Sequence, residues 1–160
     1  MGEVVKNLKE ALNFFKLPTI EMVEEDKMFV AAAIQTPIIT LKNSGKMPHS
    51  ARMNTHYIDS KYHLCSEKDM KAIIKFDWTD RKKYVSEFYD CDNFAFNFKA
   101  MVARRFGINS VGLVIDWSGG HAYNIIAFRK GSMKIFEPQS DSWPVLGSKM
   151  YKFEKGEIII

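Results

Sequence analysis

One residue pair in the chain, Cys91 and His121, has the types and the spacing for covalent acyl chemistry. Cys91 opens a run in which Cys91, Phe94, Ala95, Phe98, Val102 and Phe106 fall on one helical face, with Gly107 as the stop. A thiol in a helix's first turn sits beside unpaired backbone N–H groups and the positive end of the helix dipole, which favour the thiolate. His121 stands 30 residues later, directly after Gly119-Gly120 and at the head of a β-prone run. A histidine brought to such a thiol takes its proton and returns it to a leaving group. Glu137, Gln139 and Asp141 follow on or just beyond the next strand, and each could fix the imidazole. A hairpin centred on Arg129 sets Glu137 across from His121, whereas one centred on Gly131 sets Asp141 there, so the register stays open.

The elements that must position these groups follow from the hydrophobic pattern. Val5, Leu8, Leu12 and Phe15 predict a helix over residues 3 to 16, and a second is expected from Ile20 to Ile34. Residues 36 to 54, with Pro37, Gly45 and Pro48, read as one short strand inside a long loop. Ser66 is a helix N-cap ahead of Met70, Ile73 and Ile74. After Gly107 come three short β-prone runs, 111 to 117, 122 to 128 and 133 to 136, and a further hairpin is expected around Lys155-Gly156. Helices first and strands later predict an α+β domain with the Cys91 helix packed on a C-terminal antiparallel sheet.

Length and composition narrow the rest. At 160 residues and 46% hydrophobic, the chain suits one domain over 1–160. The formal charge of +4 comes from interspersed signs with no basic block, so nucleic acid is not an expected partner. No apolar run reaches the roughly 20 residues needed to span a bilayer, and none near Met1 suits a signal peptide. A cytoplasmic protein with no membrane partner is expected, and two cysteines rule out a disulfide scaffold. Cys65 is assigned to structure, and His49, His56 and His63 are too scattered for a zinc site.

The segments Tyr89-Asp90-Cys91-Asp92-Asn93-Phe94-Ala95, Phe106-Gly107-Ile108, Gly120-His121-Ala122-Tyr123-Asn124 and Phe136-Glu137-Pro138-Gln139 resemble the transglutaminase-like and papain-like cysteine peptidases of bacteria and phages. They are similar in particular to the C-terminal protease domain of fungal agglutinins. The resemblance covers about residues 62–141 and leaves 1–60 as an N-terminal helical extension. It implies a papain-like fold with Cys91 as nucleophile, His121 as base and Glu137 as the imidazole's partner, acting on a protein or peptide substrate. The implied activity is hydrolysis of an amide bond or acyl transfer. No glutamine stands a few residues before Cys91 to serve the oxyanion, so the Cys91 backbone N–H with Trp78 as second donor is the candidate hole. The resemblance also implies calcium as a candidate cofactor, with Asp90 and Asp92 as oxygen ligands. Two alternatives are a binding protein that keeps the fold without activity and a cell-wall amidase or endopeptidase of the NlpC or CHAP type.

Overall fold

The computed structural model describes residues 16–160, so the helix expected over 3 to 16 lies outside the described residues apart from Lys16. The chain then forms strand β1 (Met22–Asp26), where a helix was expected. Its exposure alternates residue by residue, and it pairs antiparallel with β3 (Lys61–Cys65), setting Val23 opposite Leu64. The helix starts only after Asp26, whose carboxylate accepts the Phe29 amide at 2.9 Å. This helix, α1 (Lys27–Asn43), runs through Pro37 and occupies much of the expected loop. Its Val30, Ala33, Ile34 and Ile38 are buried, and that face holds the helix where proline removes one backbone bond.

Strand β2 (Arg52–His56) follows, and after β3 comes α2 (Glu67–Phe76), capped as expected by Ser66, whose hydroxyl accepts the Asp69 amide at 3.1 Å. Helix α3 (Cys91–Phe106) ends at Gly107, whose φ of +69° is the left-handed conformation that glycine adopts at no steric cost. Strands β4 (Val111–Asp116), β5 (His121–Ala127) and β6 (Met133–Phe136) form the antiparallel meander. The last strand, β7 (Lys155–Ile159), makes no local hairpin. It lies between β2 and β4 in a five-stranded sheet of order β2-β7-β4-β5-β6, parallel to β2 and antiparallel to β4. Gly156 permits that insertion, since a Cβ there would stand 2.0 Å from the Ile115 carbonyl oxygen.

The sheet is covered on both faces. Helix α1 packs with Val114, Tyr123, Ile125, Ala127 and Ile135. Helices α2 and α3 pack through Met70, Ile73, Phe98 and Val102 onto Val111, Ile126 and Phe136 of the other face. Each such apolar side chain contributes roughly 1.5–3 kcal/mol on burial. The expected papain-like or transglutaminase-like arrangement, one catalytic helix on a C-terminal antiparallel sheet, is therefore corrected. The sheet is mixed, takes β2 from the N-terminal part of the chain, and lies between helical layers. Among the described residues no helix is long and apolar enough to cross a membrane.

Candidate functional site

His121 begins β5 opposite Asp116 of β4. The β5–β6 ladder pairs Asn124 with Phe136 and Ala127 with Met133, which centres the hairpin on Lys130, between the two registers considered from sequence. Continued one residue, that register sets Glu137 beside Tyr123 and diagonal to His121 on the same face of the sheet. There the strand gives way to a turn closed by the Glu137 amide on the Ser142 carbonyl at 2.9 Å. The Glu137 carboxylate meets the His121 ring, Oε2 to Nε2, at 2.6 Å. The Tyr151 hydroxyl donates to the same oxygen at 2.9 Å, and the Gln139 amide donates to Oε1 at 3.1 Å. Burial acts to raise the Glu137 carboxyl, but the bonds from His121, the Gln139 amide and Tyr151 outweigh it and hold the group below the usual range. The same arrangement pushes the Tyr151 hydroxyl up, through burial and the adjacent carboxylate. The Tyr151 ring lies edge-on, 5.5 Å from the His121 ring and 5.0 Å from Tyr123.

Cys91 opens α3 half-buried, where the Ala122 backbone amide favours its thiolate. Burial nevertheless pushes the thiol up, and the Asp90 and Asp92 carboxylates add to the rise. Helix α3 lies on the Asn124 face of β5, as the bond from the Asn124 amide group to the Ala95 carbonyl at 2.9 Å fixes. His121 alternates onto the opposite face, with Tyr123. No hydrogen bond among the described residues joins the Cys91 thiol to the His121 imidazole. Cys65 is buried, with its thiol pushed up to about 12 by desolvation.

The other sequence candidates take separate places. Gln139 reaches Glu137 only through its backbone amide. Asp141, with φ of +50°, stands near Asp77 and Asp80, and burial and those carboxylates push it up to about 6. Trp78 lines a cavity between α2 and α3 with the Arg81 guanidinium 4.5 Å over its ring. Asp90 is the α3 N-cap and takes the Glu87 amide at 3.3 Å, while Asp92 takes the Asn93 amide at 2.9 Å. The bond Asp92 makes to the Asp90 carboxylate is the largest cause of its raised pKa. Among the described residues no three His, Cys, Asp or Glu side chains are arranged to hold a metal ion.

Sequence reasoning missed the group that braces the β4–β5 turn leading into His121. Buried Asp116 accepts the Tyr123 hydroxyl at 3.0 Å and the Phe153 amide at 2.7 Å through Oδ2. Its Oδ1 accepts the Gly119 amide at 3.0 Å and the Ser118 hydroxyl. The signal was present in Asp116-Trp117-Ser118-Gly119, since an aspartate before Ser-Gly often bonds the backbone of its own turn. That turn exposes 55% of Trp117 beside a second cavity, about 890 Å³, lined also by Ser50, Arg52, Asn54 and Glu154. Nothing in the sequence marked Tyr151.

Residues 35–148 match the family model described as the ricin-type β-trefoil lectin C-terminal domain. Comparison with curated proteins gives no match. A chain solved as the PSL1a-E64 complex superposes with a TM-score of 0.63 at 22% identity, covering 86% of this chain and 51% of that one. Polyporus squamosus lectin, solved bound to the human-type influenza-binding epitope Neu5Aca2-6Galb1-4GlcNAc, gives 0.58 at 21%, covering 86% and 49%. The chain thus spans about half the length of each, and identities this low establish likeness of fold alone. The matched family is described as part of a lectin and not as a peptidase. It replaces the transglutaminase-like and papain-like peptidase assignment, and with it the expected cysteine-dependent hydrolase or acyltransferase. The raised Cys91 thiol, without a bond to His121, accords with that correction.

Proposed function

The chain belongs to the ricin-type β-trefoil lectin C-terminal domain family, and we propose on that premise that it is a binding domain for carbohydrate-bearing partners, glycans or glycoproteins. The family match over residues 35–148 carries this reading. The lectin solved with a sialylated trisaccharide supports it by analogy. In this chain the surface suited to a sugar is the Trp117 cavity, where an exposed indole offers a face for the apolar side of a pyranose ring. Asn54, Ser50, Arg52 and Glu154 supply donors and acceptors around it. The Asp116 bonds hold the Trp117 turn in place before any ligand arrives. Titration of the 160-residue chain with Neu5Aca2-6Galb1-4GlcNAc and with a glycoprotein before and after enzymatic deglycosylation tests the reading. Saturable binding that deglycosylation removes is expected. Equal binding to both glycoprotein forms, or none to any glycan, overturns it.

Cys91, His121 and Glu137 enter a second reading, as a small-ligand site at the head of β5. The half-exposed Cys91 sulfur at the Ala122 amide favours it, as does the neighbour solved with E64. Native mass spectrometry with E64 is the test. Retention that Cys91→Ser removes and Cys65→Ser leaves intact supports the site, and retention indifferent to Cys91 refutes it.

A further inference from the structure

The cavity between α2 and α3 has a chemistry unlike that of the Trp117 surface. Its volume is about 850 Å³, within the range of small-molecule sites. Phe76, Trp78 and Tyr89 form aromatic walls, and Lys75, Lys82 and Arg105 line it as cations. Aromatic rings and cations are interleaved, with the Arg105 guanidinium 5.5 Å from the Phe76 ring centre and the Lys82 ammonium 5.6 Å from that of Tyr89. No ion pair among the described residues includes any of these three cations.

Among the described residues a single carboxylate, Asp77, lines the cavity. It is more than nine-tenths buried, its Oδ1 accepts the Thr79 hydroxyl at 3.0 Å, and its Oδ2 has no partner among the described residues. Burial raises its carboxyl, which weakens its opposition to a second anion. An unpaired buried oxygen is costly, and a ligand group that donates to it removes that cost.

We propose that this cavity binds a small organic anion with its carboxylate on a flat apolar body, an aryl carboxylate. The ring lies against Trp78 and Phe76, where apolar burial and stacking hold it. The carboxylate meets Lys82 and Arg105, and charge-assisted bonds there distinguish it from a neutral or cationic analogue of the same shape. The site is independent of glycan binding at Trp117.

Isothermal titration of the 160-residue chain with indole-3-acetate, indole-3-acetamide and tryptamine tests it, since the three share a ring and differ in charge. The acetate is expected to bind saturably, the amide about tenfold more weakly and tryptamine not at all. Lys82→Ala and Arg105→Ala, both at exposed positions, should each weaken the acetate about fivefold to tenfold and leave the amide unchanged, with thermal melts unaltered. Trp117→Ala should change none of the three. Equal affinity for all three, no saturable binding of the acetate, or acetate binding indifferent to both cation substitutions overturns the proposal.

Discussion

Replacing Asp116 by alanine should destabilise the protein more than any other single polar change at the site. The carboxylate is 1% exposed and accepts four donors. Two of these, the Tyr123 hydroxyl and the Phe153 amide, belong to residues with no exposed surface, so neither finds water when the acceptor leaves. A stranded buried donor costs about 1–3 kcal/mol, and bonds to a charged acceptor lie at the upper end. Two such donors give about 3–5 kcal/mol, a fifth or more of the roughly 5–15 kcal/mol that holds a typical domain folded. Asp116→Asn keeps one acceptor oxygen and the side-chain volume, and should cost about half as much. Tyr123→Phe removes one donor and leaves the carboxylate three partners, for about 1 kcal/mol. Urea unfolding followed by circular dichroism measures all three, with unchanged slope and shifted midpoint marking a change in stability. A loss under about 1 kcal/mol for Asp116→Ala would refute the view that this carboxylate braces the β4–β5 turn. The same variant should also weaken glycan binding, because Trp117 then loses its fixed turn.

Other outcomes follow from the same contacts. Glu137 is held below its ordinary value of 4.5, so its contribution to stability is present above that pH and fades as the pH falls through the lower folded value. Glu137→Gln should flatten the acid limb of stability against pH below 4.5, and an unchanged limb would count against the His121–Glu137 bond. Asp141 is pushed up to about 6 from 3.8, so it opposes folding fully above pH 6 and not at all below 3.8. Asp141→Asn should therefore raise the melting temperature at pH 7 and leave it unchanged at pH 3.5, the more so because asparagine tolerates a φ of +50°. With both thiols raised, Cys91 should react with a disulfide reagent at pH 7 more slowly than free cysteine, and Cys65 only after unfolding. Faster modification of Cys91 than of free cysteine would show a thiolate stabilised beyond these contacts.

Local pattern was legible wherever it was strong and short in range. Ser66, Asp90 and Gly107 punctuate α2 and α3 as their residue types require, and the meander follows its β-prone runs. What escaped depended on partners far along the chain. Met22–Asp26 is a strand because β3 lies beside it, although its residues lead directly into a helix. Pro37 suggested a loop, yet the buried face of α1 carries the helix past it. At the site, the likeness of the Cys91, His121 and Glu137 segments to a peptidase suggested one constellation. The β5–β6 register brought Glu137 to His121 through a hairpin centre no sequence pattern fixed, and no hydrogen bond among the described residues joins Cys91 to that pair. Asp116 and Tyr151 acquire their roles through bonds to residues 37 and 14 positions away.

The placing of β7 between β2 and β4 also dictates an order of assembly. The meander β4-β5-β6 closes over short loops, whereas β2 finds β7 only at a separation of 103 positions, Arg52 to Lys155. Closing so long a loop costs entropy before any pairing is gained, so the sheet should grow outward from the meander, with β7 added next and β2 last. Until β7 docks, β4 presents an unpaired edge of Leu113, Val114 and Ile115. In that interval the chain is most exposed to pairing with another copy of itself.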